Sequence, residues 1–196
     1  MKILEKSAPR ALKVVHYPEP VLRMQAALVE RITPEIQRFI EEMGEAMYDH
    51  NGVGLAAPQV GVSLRIAVID AGEGKGLQEF INPEIILREG TQTGVEGCLS
   101  LPRLHGDVVR AERIILRALN RRGRRITMAG EDFWARVVQH ELDHLDGILF
   151  TDCALPDSLR WVTGEVDAEG HYIEQPTTLA EALAVFTGTA EIEKQA

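Results

Sequence analysis

The stretch His140-Glu141-Leu142-Asp143-His144 constrains this chain more than any other. Two imidazoles four residues apart share one face of an α-helix, so both can reach a single metal ion, with Glu141 beside the coordination position they leave open. That layout suits metal-assisted hydrolysis. The apolar neighbours Trp134, Val137, Val138, Leu142 and Leu145 fall on more than one side of the helix, which predicts a helix buried at the centre of a domain. Glu131 and Asp132 after Gly130 favour a helix start there, because carboxylates in the first turn complement the positive end of the helix dipole, and Gly147 marks the end.

Upstream, Thr33-Pro34-Glu35 has the form of a helix start, and Ile36, Ile40, Met43 and Met47 supply an apolar stripe running to about Asp49. Asn51-Gly52 breaks it and leads into the small-residue loop Val53-Gly54-Leu55-Ala56-Ala57-Pro58-Gln59. Strands are expected over 64–69, 80–87, 108–110, 114–119 and 125–128, with residues 120–124 as a turn. A helix, then several strands, then a buried helix predicts an α+β fold, with antiparallel β-sheets packed around a central metal-bearing helix. Beyond Leu155 the pattern weakens to a hairpin around Ala168-Glu169-Gly170. A short capped helix then runs from Thr178 to about Phe186, stopped by Gly188.

With 196 residues, 45% of them hydrophobic, the chain can build one substantial core. The expectation is a domain over residues 1–155 carrying the chemistry, and an acidic extension, 156–196, packed on it. No apolar run is long enough to span a bilayer, and the opening Met1 to Tyr17 lacks a hydrophobic core segment, so a cytoplasmic protein is expected. Residues 151–196 hold nine acidic and two basic side chains, a net −7 of the total −9, leaving −2 for the body. Such a balance argues against nucleic-acid binding, and Arg121, Arg122, Arg124 and Arg125 around Gly123 read as a solvated hairpin tip.

A catalytic site of this kind needs a third protein ligand. In one helix-based peptidase pattern it would be a histidine six residues after His144, but Phe150 stands there. A thermolysin-like endopeptidase would use a glutamate about twenty residues downstream, near Glu165. The stronger candidate is Cys98, in a loop within Glu96-Gly97-Cys98-Leu99-Ser100, because a thiolate with two neutral imidazoles favours Zn(II) or Fe(II) over hard cations. Two cysteines make no disulfide framework, and Cys153 is expected to be a small buried hydrophobe.

Three ordered segments resemble the peptide deformylase family: Gly52-Val53-Gly54-Leu55-Ala56-Ala57-Pro58-Gln59, Glu96-Gly97-Cys98-Leu99-Ser100 and Gln139-His140-Glu141-Leu142-Asp143-His144. The likeness runs from about Val14 to Phe150. It implies removal of the N-formyl group from N-formylmethionyl nascent peptides, with release of formate. It further implies one divalent metal ion on Cys98, His140 and His144, Fe(II) by preference and Zn(II) or Ni(II) as alternatives. Glu141 would carry the proton, while the Leu99 backbone N–H and the Gln59 side chain would stabilise the oxyanion. Val53, Gly54, Glu96 and Val137 would bind substrate, and Asp143 would orient ligands or neighbouring backbone. The implied partners are the formylated peptide and the ribosome near the exit tunnel, with no sequence-specific nucleic acid and no membrane. This chain departs from the family pattern at Cys153, where arginine is frequent, at Val53 for isoleucine, and in its acidic tail, where some bacterial members carry a basic helix. Two rival readings are the endopeptidase using Glu165 and a non-catalytic formyl-peptide or metal-binding homologue. His105, close to the cysteine segment, is a candidate for lining the substrate path.

Overall fold

The computed structural model describes residues 12–72 and 74–190. Most of Met1 to Tyr17 therefore lies outside the described residues. Thr33 opens the first helix, α1 (Pro34–Asp49), by accepting from the Ile36 N–H at 3.4 Å, and proline at the first position wastes no hydrogen bond. Ile36, Phe39, Ile40, Met43 and Met47 are its buried face.

Among the described residues nine strands follow in two sheets, and all named pairings are antiparallel. The first contains β1 (Gly54–Ala56), β2 (Ile66–Ile69), β3 (Gln78–Glu89), β6 (Arg113–Leu119) and β7 (Arg125–Glu131), in that spatial order. The second runs β4 (Gln92–Cys98), β5 (Leu101–Arg110), β8 (Arg160–Val166) and β9 (Tyr172–Pro176). Helix α2 (Asp132–Leu145) carries the two histidines, and α3 (Leu179–Phe186) is capped by Thr178 and Glu181.

Ile66-Ala67-Val68-Ile69 is wholly buried because the first sheet is covered on both faces. Leu55, Ile66, Val68 and Ile81 join the α1 cluster, whereas Ala56, Ile69 and Phe80 join Trp134, Val137, Val138, Leu142 and Leu145 of α2. Alternate side chains along β1, β2 and β3 thus serve opposite helices. The α+β class and the buried central helix expected from sequence are what the chain forms.

Some local expectations change. Part of the loop before Gln59 is β1, followed by a 3-10 turn, Ala57–Val60. Cys98 is not in a loop: it closes β4, which pairs with β5 from Gln92↔Arg110 to Gly97↔His105 before the register shifts at Cys98. Inter-strand hydrogen bonds override the weak strand propensity of a glycine-containing segment. β5 begins at Leu101, earlier than expected. Cys153 is exposed rather than buried: the short turn Phe150–Asp152 buries Phe150 and Thr151 and leaves the residue after it outside; the neighbouring Asp152 pairs with Arg23. The 120–124 turn is held by Asn120, whose side-chain oxygen accepts from the N–H groups of Arg122 and Arg124.

Candidate metal centre and substrate cleft

Helix α2 and the end of β4 bring Cys98, His140 and His144 together, with one ligand atom from each all within 4.8 Å of one another. Cys98 Sγ lies 3.2 Å from His144 Nε2. A tetrahedral ion with bonds of about 2.0–2.3 Å spaces its sulfur and nitrogen donors roughly 3.3–3.6 Å apart. Small side-chain adjustments therefore fit the trio to a divalent ion.

The electrostatics favour a cation there. Burial opposes ionisation of Cys98, but the imidazoles of His144 and His140 outweigh it and hold the thiol well below its usual pKa, in the form that ligates metals. Burial pulls His140 down, while its hydrogen bonds with Cys98 and Glu96 push it well above its ordinary range. The surrounding groups thus stabilise positive charge between these residues, whether a proton or an ion supplies it.

Glu96 explains how His140 is held. Its Oε2 accepts from His140 Nδ1 at 2.9 Å, leaving Nε2 for the metal side. Arg110 grips both oxygens of the same carboxylate at 2.9 Å, and Arg136 adds a contact at 2.8 Å. Burial alone would raise the Glu96 pKa, but Arg110 and His140 hold it well below the carboxylate range. Arg110 also pairs with Asp143, three residues after His140 on α2. Glu96, expected among the substrate-binding residues, lines the cleft but commits both oxygens to this network. Asp143 touches Arg110 and not the ion trio directly.

Glu141 is 3% exposed, and its Oε2 has no hydrogen-bond partner among the described residues. Desolvation pushes its pKa up to about 7, opposed by the two histidines. Gly54 makes room for it: a Cβ at that position would stand 2.3 Å from Glu141 Oε1. Gln59 is oriented just as tightly. Its Oε1 accepts from the Ala56 N–H at 2.8 Å, so the amide N–H₂ faces the site, 3.5 Å from Cys98 Sγ.

These groups border a cleft of about 530 Å³. Val53, Val95, Phe133 and Val137 form an apolar part of its wall, and His16, His50 and His105 a polar part. The expected site residues Val53, Gly54, Gln59, Glu96, Cys98, Leu99, Val137, His140 and Glu141 all line it, and His144 lies just behind. Glu165 stands apart on β8, exposed and outside the metal group. Sequence reasoning missed Phe133, Arg110 and Arg136; for Arg136 the one hint in the sequence was a charge among the apolar residues of the helix, one turn before His140.

β1 and β4 are terminal strands of their respective sheets, and residues of both line this cleft. A thiolate and two imidazoles around a candidate metal position, with a buried carboxylate beside it, are the marks of a metal-dependent hydrolase. The sequence model of polypeptide deformylase matches residues 11–159, and the chain belongs to that family. It is 50% identical over 142 residues to the peptide deformylase of Carboxydothermus hydrogenoformans, covering 72% of this chain and 92% of that one. The enzyme of Halothermothrix orenii is 54% identical over 134 residues, covering 68% and 87% of the two chains. The crystal structure of the Thermotoga maritima peptide deformylase superposes with a TM-score of 0.73 at 40% identity, over 75% of this chain and 99% of that one.

Proposed function

We propose that this protein hydrolyses the formamide of N-formylmethionyl peptides, giving formate and a free amino terminus, with Cys98, His140 and His144 holding the ion. The observation that carries the reading is the buried Glu141 carboxylate, one oxygen unpartnered, beside that trio and against the edge strand β1. When bound, a divalent ion supplies Lewis acidity, lowering the pKa of a water and polarising the formyl oxygen.

The chain's own groups do the rest. A peptide entering as an extended strand would pair with the cleft-facing parts of the terminal strands, Gly54 of β1 and Val95 to Gly97 of β4, which would orient it independently of its side chains. Its methionine side chain fits the apolar wall of Val53, Val95, Phe133 and Val137. Glu141 removes a proton from the attacking water; its elevated pKa matches that of a group that must both accept and release a proton near neutrality. As the carbonyl oxygen gains charge, Gln59 Nε2 and the Leu99 N–H donate to it. When the C–N bond breaks, Glu141 returns the proton to the leaving nitrogen. Glu96, braced by Arg110 and Arg136, keeps His140 oriented and contacts no reacting atom.

The test is formate release from formyl-Met-Ala by metal-loaded protein, with and without Glu141→Gln. Turnover is expected to fall by about 10²-fold or more, as for loss of a general acid–base; full turnover in the variant sinks the role of Glu141. Absence of formate release with tight peptide binding would favour the non-catalytic reading. For the ion, the donor set suits Fe(II), Zn(II) or Ni(II), and we assign Fe(II), whose thiolate site is expected to decay in air through Cys98 oxidation. Anaerobic purification with elemental analysis decides it. No helix among the described residues is long and apolar enough to cross a membrane. The proposed substrate arises on nascent chains in the cytoplasm, so the ribosome near the exit tunnel is the partner to test by cosedimentation.

A further inference from the structure

The family match ends at residue 159, yet the next segment reaches back to the cleft. β8 pairs with β5 at only two positions, Leu104↔Trp161 and His105↔Arg160. Arg103 reinforces that short seam. Its guanidinium forks onto two successive backbone carbonyls of β8, with Nε donating to Val162 O at 2.9 Å and Nη2 to Thr163 O at 2.8 Å. Arg103 does this from the left-handed region, at φ 67°, which side chains other than glycine rarely adopt. The strained backbone is thus held where the fork can form.

The strip that Arg103 anchors, Pro102 to His105, forms part of the cleft wall. Arg160 and Glu174 complete the join: Arg160 Nε pairs with Glu174 at 2.7 Å, and Glu174 lies 4.0 Å from His105 Nδ1. His105 in turn packs against the strand carrying Cys98, since a Cβ on Gly97 would meet its ring at 2.8 Å. The apolar wall is taken by the methionine side chain. What remains for later peptide residues is the polar wall, with His105 on the strip that the extension supports.

We infer that residues 160–176 act as a brace for the substrate cleft, and that Arg103 is a positioning residue setting affinity for peptide residues beyond the second. This rests on the deformylase reading above. Arg103→Gly is a suitable probe, because glycine accepts φ 67° without strain, so the backbone can stay in place while the fork is lost. KM for a formyl-Met tetrapeptide is expected to rise about tenfold, the scale of one or two lost polar contacts, with kcat unchanged. The kinetics of formyl-Met-Ala should stay within about twofold. Arg103→Lys, which can replace one of the two bonds, should restore part of the affinity. His105→Ala should weaken the tetrapeptide similarly, and the double variant should be no worse than either single one, as for residues acting through one contact. Equal changes for both peptides, no change for either, or additive effects would overturn the inference. If the unaltered protein released no formate from either peptide, the activity itself would fall, and the inference with it.

Discussion

Replacing Gly54 by alanine isolates the geometry of the proton carrier. The new Cβ would lie 2.3, 2.8 and 2.9 Å from Glu141 Oε1, Cδ and Cγ. Ordinary contacts begin near 3.4 Å, so the carboxylate must retreat by about 1.1 Å, and its stem must move with it. Misplacement on the scale of ~1 Å at a reacting group costs about 10²-fold in rate. The three atoms nearest to that Cβ all belong to Glu141, and none to the proposed ligands. Metal content should therefore hold while kcat for formyl-Met-Ala falls about 100-fold. Initial rates of formate release, elemental analysis and a thermal melt on the same preparation separate these effects. Glu141→Asp removes the 2.3 and 2.8 Å contacts and leaves the one at 2.9 Å, so Gly54→Ala should cost less in that background than in the parent. A folded, metal-loaded Gly54→Ala protein with kcat within about threefold of the parent would refute the reasoning.

Glu96→Gln keeps the shape but leaves Arg110 and Arg136 without their shared buried anion. A loss of about 3–5 kcal/mol is expected, seen as a fall in Tm of roughly 6–20 °C. Competition with a chelator should show metal affinity about 10- to 100-fold weaker, and unchanged affinity would disconnect Glu96 from the ion. Gln59→Ala removes a donor aimed at the site and should lower kcat about 10²- to 10³-fold with little change in metal content; a change confined to KM would contradict that role. Gly147 stands at φ 74°, and a Cβ there would lie 2.8 Å from the Arg23 backbone. Gly147→Ala should therefore destabilise by about 2 kcal/mol or more, a Tm fall of at least ~4 °C, and an unaltered melt would show that this turn can relax.

The central helix was legible because its signals agree: carboxylates at one end, a glycine at the other, apolar residues around it and two imidazoles at one spacing. The ion trio was legible for a related reason, since thiolate and imidazole chemistry narrows the candidates for each other. β4 was not. Gln92 to Cys98 contains two glycines and little apolar alternation, and it becomes a strand only through its partner β5, a contact no local pattern encodes. Arg110 and Arg136 escaped for the same cause, because their anion lies on another strand. Cys153 was misread because thiols are often buried, whereas its surface position follows from the turn it ends.

The placement of the two unpaired strand edges limits when such a protein can act. Both edges line one cleft, and a single extended backbone can lie along them where a preformed sheet cannot. A chain terminus already folded into its own sheet or helix has its main-chain groups engaged and presents nothing for these edges to bind. Accessibility of the formyl end thus becomes a matter of time. On the proposed reading, the reaction must win a race against the folding of its own substrate, and a terminus that folds first would keep its formyl group.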